Sequence, residues 1–258
     1  MFNFNKKPHI KFYSLIPAVA TLYPISPASQ LKRKWKGEEK VAFEERQRTC
    51  PLHLRRGMTS VGRCPAISSS MNSGFILRAP ADFTINTVGD LSEVNITARP
   101  VLNHVPYVDT HADWQTEWIV DHNKSFVVNK IIKINSPWRV LCNDPDIVFF
   151  VTQVQYWNES RFTQLDGILD PLITNELNCQ LAWHVLDGTV TVDAGTPLAQ
   201  YIPMSRKLLN SVDFSVEEAD EKLYRLEQEM TYSGHHKFET DYKLKVQNMA
   251  KILKKYGY

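Results

Sequence analysis

Between Phe75 and Tyr201 apolar and polar residues alternate with a period close to two, broken at short intervals by turn-forming residues. In "FILRAPADFTINT", Phe75, Leu77, Phe83 and Ile85 fit strands interrupted around Pro80. The runs "SFVVNKIIKI", "RVLCNDPDIVFFVTQVQYW" and "CQLAWHVLDGTVTVDAG" predict further strands, with Asn143 to Asp146 and Asp187-Gly188 as turns. Ahead of them, Ile10 to Ile25 mixes β-branched and aromatic residues with Pro17 and Pro24, which predicts a strand-and-loop entry. Past Pro203 the period lengthens towards that of a helix. "SVEEADEKLYRLEQEM" places Leu223 and Leu226 on one face, with Ser215 as the expected N-cap and Glu218 completing a capping box. Tyr242, Val246, Met249 and Leu253 repeat at helical spacing in a second segment, whose lysines gather at its C-terminal end. The pattern predicts a mainly β (α+β) protein: a predominantly β domain over 1–205 and a C-terminal two-helix hairpin over 206–258.

Charge changes this picture in one place. A dense insertion near 31–62 carries Lys32, Arg33, Lys34 and Lys36 around Trp35, followed by Glu38, Glu39, Glu44 and Glu45, and predicts an exposed loop over part of its length. The basic end resembles a phosphate-contacting patch with a stacking ring, but acids of the opposite sign follow at once, so the segment predicts no nucleic-acid partner. Over the 258 residues, 30 Lys and Arg face 28 Asp and Glu, and a formal charge of +2 gives no drive towards polyanions or membranes. "FYSLIPAVA" imitates a secretory leader, but Ser14 and Pro17 interrupt it. No apolar run reaches the roughly 18 residues that a membrane span needs. The four cysteines, Cys50, Cys64, Cys142 and Cys179, include no C-x-x-C pair, which predicts reduced thiols in an intracellular setting.

Candidate chemistry is sparse. Neither a dinucleotide-binding nor a P-loop glycine fingerprint occurs. His111 and Asp113 have the H-x-D spacing of a facial iron site, with His184 as a distal third ligand, because strand residues two apart share a face. No arginine follows His184 closely to clamp an oxoacid. His104, His111 and His122 cluster with Trp114 and Trp118, and His235 and His236 fall in the expected turn of the hairpin. Cys64 and Ser68 to Ser70 are potential nucleophiles without a recognisable elbow. The reading is therefore non-enzymatic, with no cofactor; a metal-dependent oxygenase on His111, Asp113 and His184 is the alternative.

The stretch "GILDPLITNELNCQLAWHVLDGTVTVDAGTPLAQYIP" resembles the C-terminal part of the β-clip of trimeric dUTPases and dCTP deaminases. Gly167 to Asp170 matches a glycine, two apolar residues and an aspartate; Gly195, then Leu198, Ala199 and Gln200, matches a glycine turn and an apolar-Ala-Gln strand. The resemblance implies a β-clip or sandwich-like core, a homo-oligomer with a trimer the usual form, and Asp170 as the water-activating carboxylate of a divergent nucleotide hydrolase. Ile173 stands where that family has its tyrosine, and the two helices replace its glycine-rich lid. Independently of family, Gly195 permits a tight turn, Ala199 a close approach, and the amide of Gln200 can bind backbone within a sheet.

A second resemblance spans most of the chain. "IKFYSLIP", "PISPAS", "CPAISSSMNSGFILRAPADFTI", "NSPWRVLC" and "GTPLAQYIPMSRK", in this order, look like a family of tailed phages, T4-like cyanophages among them, and bacteria. That family brings no activity. It implies a structural or interaction protein, located in the virion or the host cytoplasm, whose partners are other phage structural proteins or further copies of itself.

Overall fold

The computed structural model describes residues 8–49, 61–89, 93–98, 107–112, 114–116, 130–235 and 242–258. Contacts divide the chain into two units, Met1–Asn210 and Ser211–Tyr258.

The first unit holds fourteen strands among the described residues: β1 Ile10–Ser14, β2 Ser26–Pro27, β3 Phe75–Arg78, β4 Phe83–Val88, β5 Glu93–Ala98, β6 Val108–Thr110, β7 Ile131–Ile134, β8 Trp138–Cys142, β9 Ile147–Thr152, β10 Phe162–Gln164, β11 Gly167–Leu169, β12 Cys179–Trp183, β13 Gly188–Val192 and β14 Pro197–Ser205. Its helices are α1 Pro17–Leu22, α2 Lys34–Thr49, α3 Pro65–Asn72 and α4 Arg206–Asn210. The strands form four sheets, ordered β1-β8, β10-β12-β7-β6, β11-β9-β14-β3-β2 and β13-β4-β5. Every pairing is antiparallel. The fold is thus mainly β with accessory helices, as the alternation predicts.

One continuous apolar cluster joins these sheets, with Trp183, Phe83, Phe149 and Tyr201 among its most buried members. Strand β14 is central to the five-stranded sheet. It pairs with β9 from Gln200↔Thr152 to Ser205↔Ile147 and with β3 from Pro197↔Arg78 to Tyr201↔Phe75. Buried on both faces from Pro197 to Tyr201, it contributes a nearly unbroken apolar run.

Two helices replace expected irregular segments. After β1, Pro17 begins α1 at its first position, where a missing N–H costs nothing and the fixed φ suits a helix. The charged insertion, expected to be loop over part of its length, forms α2 over Lys34–Thr49. Its residues are mostly good helix formers, no proline falls between Pro27 and Pro51, and Lys34 reaches Glu38 one turn on at 3.8 Å. The rest of that insertion, 50–60, lies outside the described residues. In α3 too a proline, Pro65, opens the helix.

The second unit begins with Ser211–Asp220, which has no regular structure and is exposed throughout, and continues as α5 Glu221–His235 and α6 Tyr242–Lys255. Ser215 does not cap the first helix. Asp220 does, its Oδ1 accepting from the Leu223 N–H at 2.8 Å while its carbonyl accepts from Tyr224 at 3.0 Å. A carboxylate at a helix N-terminus satisfies both the orphan N–H and the dipole, which a hydroxyl further upstream cannot. No described helix is long and apolar enough to cross a membrane.

Candidate functional site

The turn into β14 is built on Gly195, whose φ of +85° is in the left-handed region. Its N–H donates to the Ala79 carbonyl at 2.7 Å, and its own carbonyl accepts from Arg78 Nη1 at 3.0 Å. A Cβ there would approach the Tyr23 ring to 3.1 Å. Further along, Ala199 and Gln200 are fully buried. The Gln200 carboxamide is saturated by backbone: Oε1 accepts from the Gln155 N–H at 3.0 Å, and Nε2 donates to the carbonyls of Ser70 at 2.9 Å and Ser73 at 2.7 Å. One side chain thereby ties the chain leaving β9 to the last turn of α3 and the residue after it.

Asp170 follows β11, where Gly167 is exposed and open. Its carboxylate meets the Arg206 guanidinium through two bonds, Nη1 to Oδ2 and, at 2.6 Å, Nη2 to Oδ1. The same Oδ1 accepts from the Leu172 N–H at 2.9 Å. These bonds, Arg206 foremost, hold the carboxyl below the usual carboxylate range, making Asp170 a weak base. Arg206 is fixed in turn by Nε donating to the Pro145 carbonyl at 3.0 Å. Asp146 beside it accepts from Ser205 Oγ at 2.6 Å and from the Lys207 N–H at 3.0 Å. Ile173 is 84% exposed.

Alongside β11 lies a cleft of about 750 Å³, between the ends of β9 and β11 on one side and β10 and β12 on the other. Its polar lining is dominated by carboxamides and hydroxyls, including Gln153, Gln155, Gln164, Asn178 and Gln180. Asp166 and Glu176 are its charged members among the described residues, and no described lysine, arginine or histidine lines it. Arg139 Nη2 holds Glu176 at 2.9 Å. Gln164 is 3% exposed; its Nε2 donates to the Leu165 carbonyl at 2.6 Å, and its Oε1 has no partner among the described residues. Sequence reasoning missed Arg206 and this lining. The first is a contact across 36 positions, whereas the second left a trace in the amides of "TQVQ" and "NELNCQ".

His111 and His184 sit at one end of the four-stranded sheet. The His111 N–H donates to Ile131 of β7, and His184 continues from β12 on the other side of β7. Two strand spacings, about 10 Å, separate their backbones. His111 Nδ1 is 3.2 Å from Gln115 Oε1, and His184 Nε2 is 2.6 Å from Thr163 Oγ1 on β10, the strand beyond β12. Burial lowers the pKa of His184, which favours the neutral ring. Asp113 lies outside the described residues, as do Cys50, His104, Trp118, His122 and His236. Among the described residues no three His, Cys, Asp or Glu side chains are grouped to hold a metal.

In the basic segment Arg33 is buried, donating to the carbonyls of Gln155 at 2.9 Å, Met71 at 3.1 Å and Leu31 at 3.4 Å. Half-buried Trp35 donates from Nε1 to the Tyr156 carbonyl at 2.8 Å. Both side chains fasten α2 to the loop after β9. Cys64, Cys142 and Cys179 are free thiols, Cys179 fully buried.

No protein-family description matches the chain, and no curated protein does. The solved structure of native EIAV dUTPase is similar over 58% of this chain and 84% of its own, with 17% identity and a TM-score of 0.29. A likeness of that size says nothing about activity.

Proposed function

We propose that this chain is a non-enzymatic structural or interaction protein of a tailed phage, a component of the virion or of its assembly, working through its surfaces with other phage proteins or with copies of itself. The observation that carries the reading is the segment Ser211–Asp220. Every residue in it is exposed, and Val212, Phe214 and Val216 are exposed by 61%, 88% and 89%. Single exposed apolar residues are ordinary, but three within five positions, one aromatic, fit a surface that a partner covers. Asp170 supports the same reading, since a carboxylate held by Arg206 and a backbone N–H is poorly placed to activate water.

The test replaces Val212, Phe214 and Val216 together with serine in the source phage and follows the chain through gradient purification of particles. Retention of the wild type with particles and loss of the variant is the expected result. Equal behaviour of the two would remove this segment from the account.

One observation favours a second reading, a divergent dUTPase-like binding protein. The cleft beside β11 offers many hydrogen-bonding groups and Gln164 Oε1, which has no partner among the described residues. Among the described residues its lining includes two acids and no cation, which suits a neutral polar molecule better than a triphosphate. Calorimetric titration with deoxyuridine and with dUTP separates these cases.

A further inference from the structure

The second unit contains 48 residues by its bounds, Ser211–Tyr258, yet Leu226 is its one buried hydrophobic residue among those described. Helices α5 and α6 pair with each other, and each carries an apolar stripe with the three-and-four spacing of a coiled-coil seam: Leu223, Leu226 and Met230 on one, Val246, Met249 and Leu253 on the other. A single antiparallel pair covers such a stripe from one side only. Leu223, Met230, Met249 and Leu253 accordingly remain half-buried, and Val246 is 49% exposed. Isolated helices of 15 and 14 residues are marginal in water, and two of them cannot enclose a core. The hairpin needs a further layer.

Charge indicates what that layer is. Helix α5 carries Glu221, Glu227 and Glu229 against Lys222 and Arg225, and Glu217, Glu218 and Asp220 precede it. Helix α6 carries Lys243, Lys245, Lys251, Lys254 and Lys255 and no acid. Within one hairpin the two signs already meet, Lys255 Nζ reaching Glu229 at 2.8 Å. A second identical hairpin offers the same match twice if α5 of each copy packs on α6 of the other. Packing α6 on α6 would set lysine-rich faces together, at a cost in like-charge repulsion.

We propose that the second unit is a self-association module in which two copies of the chain pair their α5–α6 hairpins, α5 against the partner's α6, as a four-helix bundle. Two hairpins are the smallest number that covers both open stripes, and a two-fold axis makes the contact self-complementary. The module deepens the interaction-protein reading by naming a second copy as the partner of this surface, and the two fail separately. Particle composition tests the one and the oligomeric state of the pure chain tests the other.

The experiment is light-scattering mass measurement on the full chain across the micromolar range. Wild type should elute at twice 29.7 kDa. Two charge-reversal variants at positions flanking the stripes, Glu227→Lys with Glu229→Lys and Lys243→Glu with Lys245→Glu, should each associate about tenfold more weakly or worse. Mixing them should restore a dimer, because each supplies the sign the other lacks. A wild-type chain that stays at 29.7 kDa, or one that forms a trimer, overturns the proposal without reference to any variant. Variants that dimerise as well alone as mixed overturn the α5–α6 pairing.

Discussion

Gln200→Met removes a saturated amide from the middle of the central strand while nearly preserving side-chain volume. Gln200 is fully buried, so three backbone groups lose their partner together: the Gln155 N–H and the carbonyls of Ser70 and Ser73. A typical intramolecular hydrogen bond contributes about 1 kcal/mol net, and a stranded buried group costs about 1–3 kcal/mol. Three such bonds give a destabilisation of about 3 kcal/mol at least. For a domain of this size each kcal/mol lowers Tm by about 2–4 °C, so the melting point should fall by roughly 6–12 °C. Urea unfolding followed by tryptophan fluorescence measures this directly, because Trp138 and Trp183 are buried in the first unit. Leu198→Met serves as control, a volume-conserving change in the same strand that should cost under about 1.5 kcal/mol. A Gln200→Met protein within about 0.5 kcal/mol of wild type would refute the claim that this amide joins β9, β14 and the end of α3.

Three further outcomes follow. Gly74 has φ +74°, and a Cβ on it would lie 2.1 Å from the Tyr201 carbonyl oxygen, so Gly74→Ala should cost about 3 kcal/mol or more in the same urea assay. Because Arg206 lowers the Asp170 carboxyl in the folded chain, the pair stabilises above the unfolded carboxyl's pKa of about 3.9, and that stability is lost as pH falls through the lowered folded value. Melting curves of wild type and Asp170→Asn should therefore differ at neutral pH and converge in strong acid; a gap independent of pH would contradict the ion pair. Burial raises the Cys179 thiol well above its usual range, so a thiol reagent should modify Cys179 only on unfolding, which peptide mapping of the labelled native protein checks.

The strands were legible because one-sided or complete burial writes itself as alternation or as an apolar run: β4 reads buried at Phe83, Ile85 and Thr87, and β14 from Pro197 to Tyr201. Helix α2 was not legible as such, since it has no apolar stripe and is fixed instead by Arg33 and Trp35 at its start. The cap at Asp220 was hidden by a Ser-x-x-Glu pattern five residues upstream that fits a capping box equally well. At the candidate site, the glycine turn at 195 and the buried amide at 200 have local signatures. The partner of Asp170 does not: Arg206 is 36 residues away, and no spacing rule joins the end of one sheet strand to the loop after another.

The central claim is that this chain acts by being built into an assembly rather than by turning over a substrate. If the chain belongs to a tailed phage, as proposed above, quantitative mass spectrometry of that phage's gradient-purified particles, referenced to the major capsid protein, tests it most directly. The account predicts a fixed stoichiometric ratio that is constant between preparations. Absence from particles, together with nucleotide turnover by the purified chain that Asp170→Asn abolishes, would contradict it.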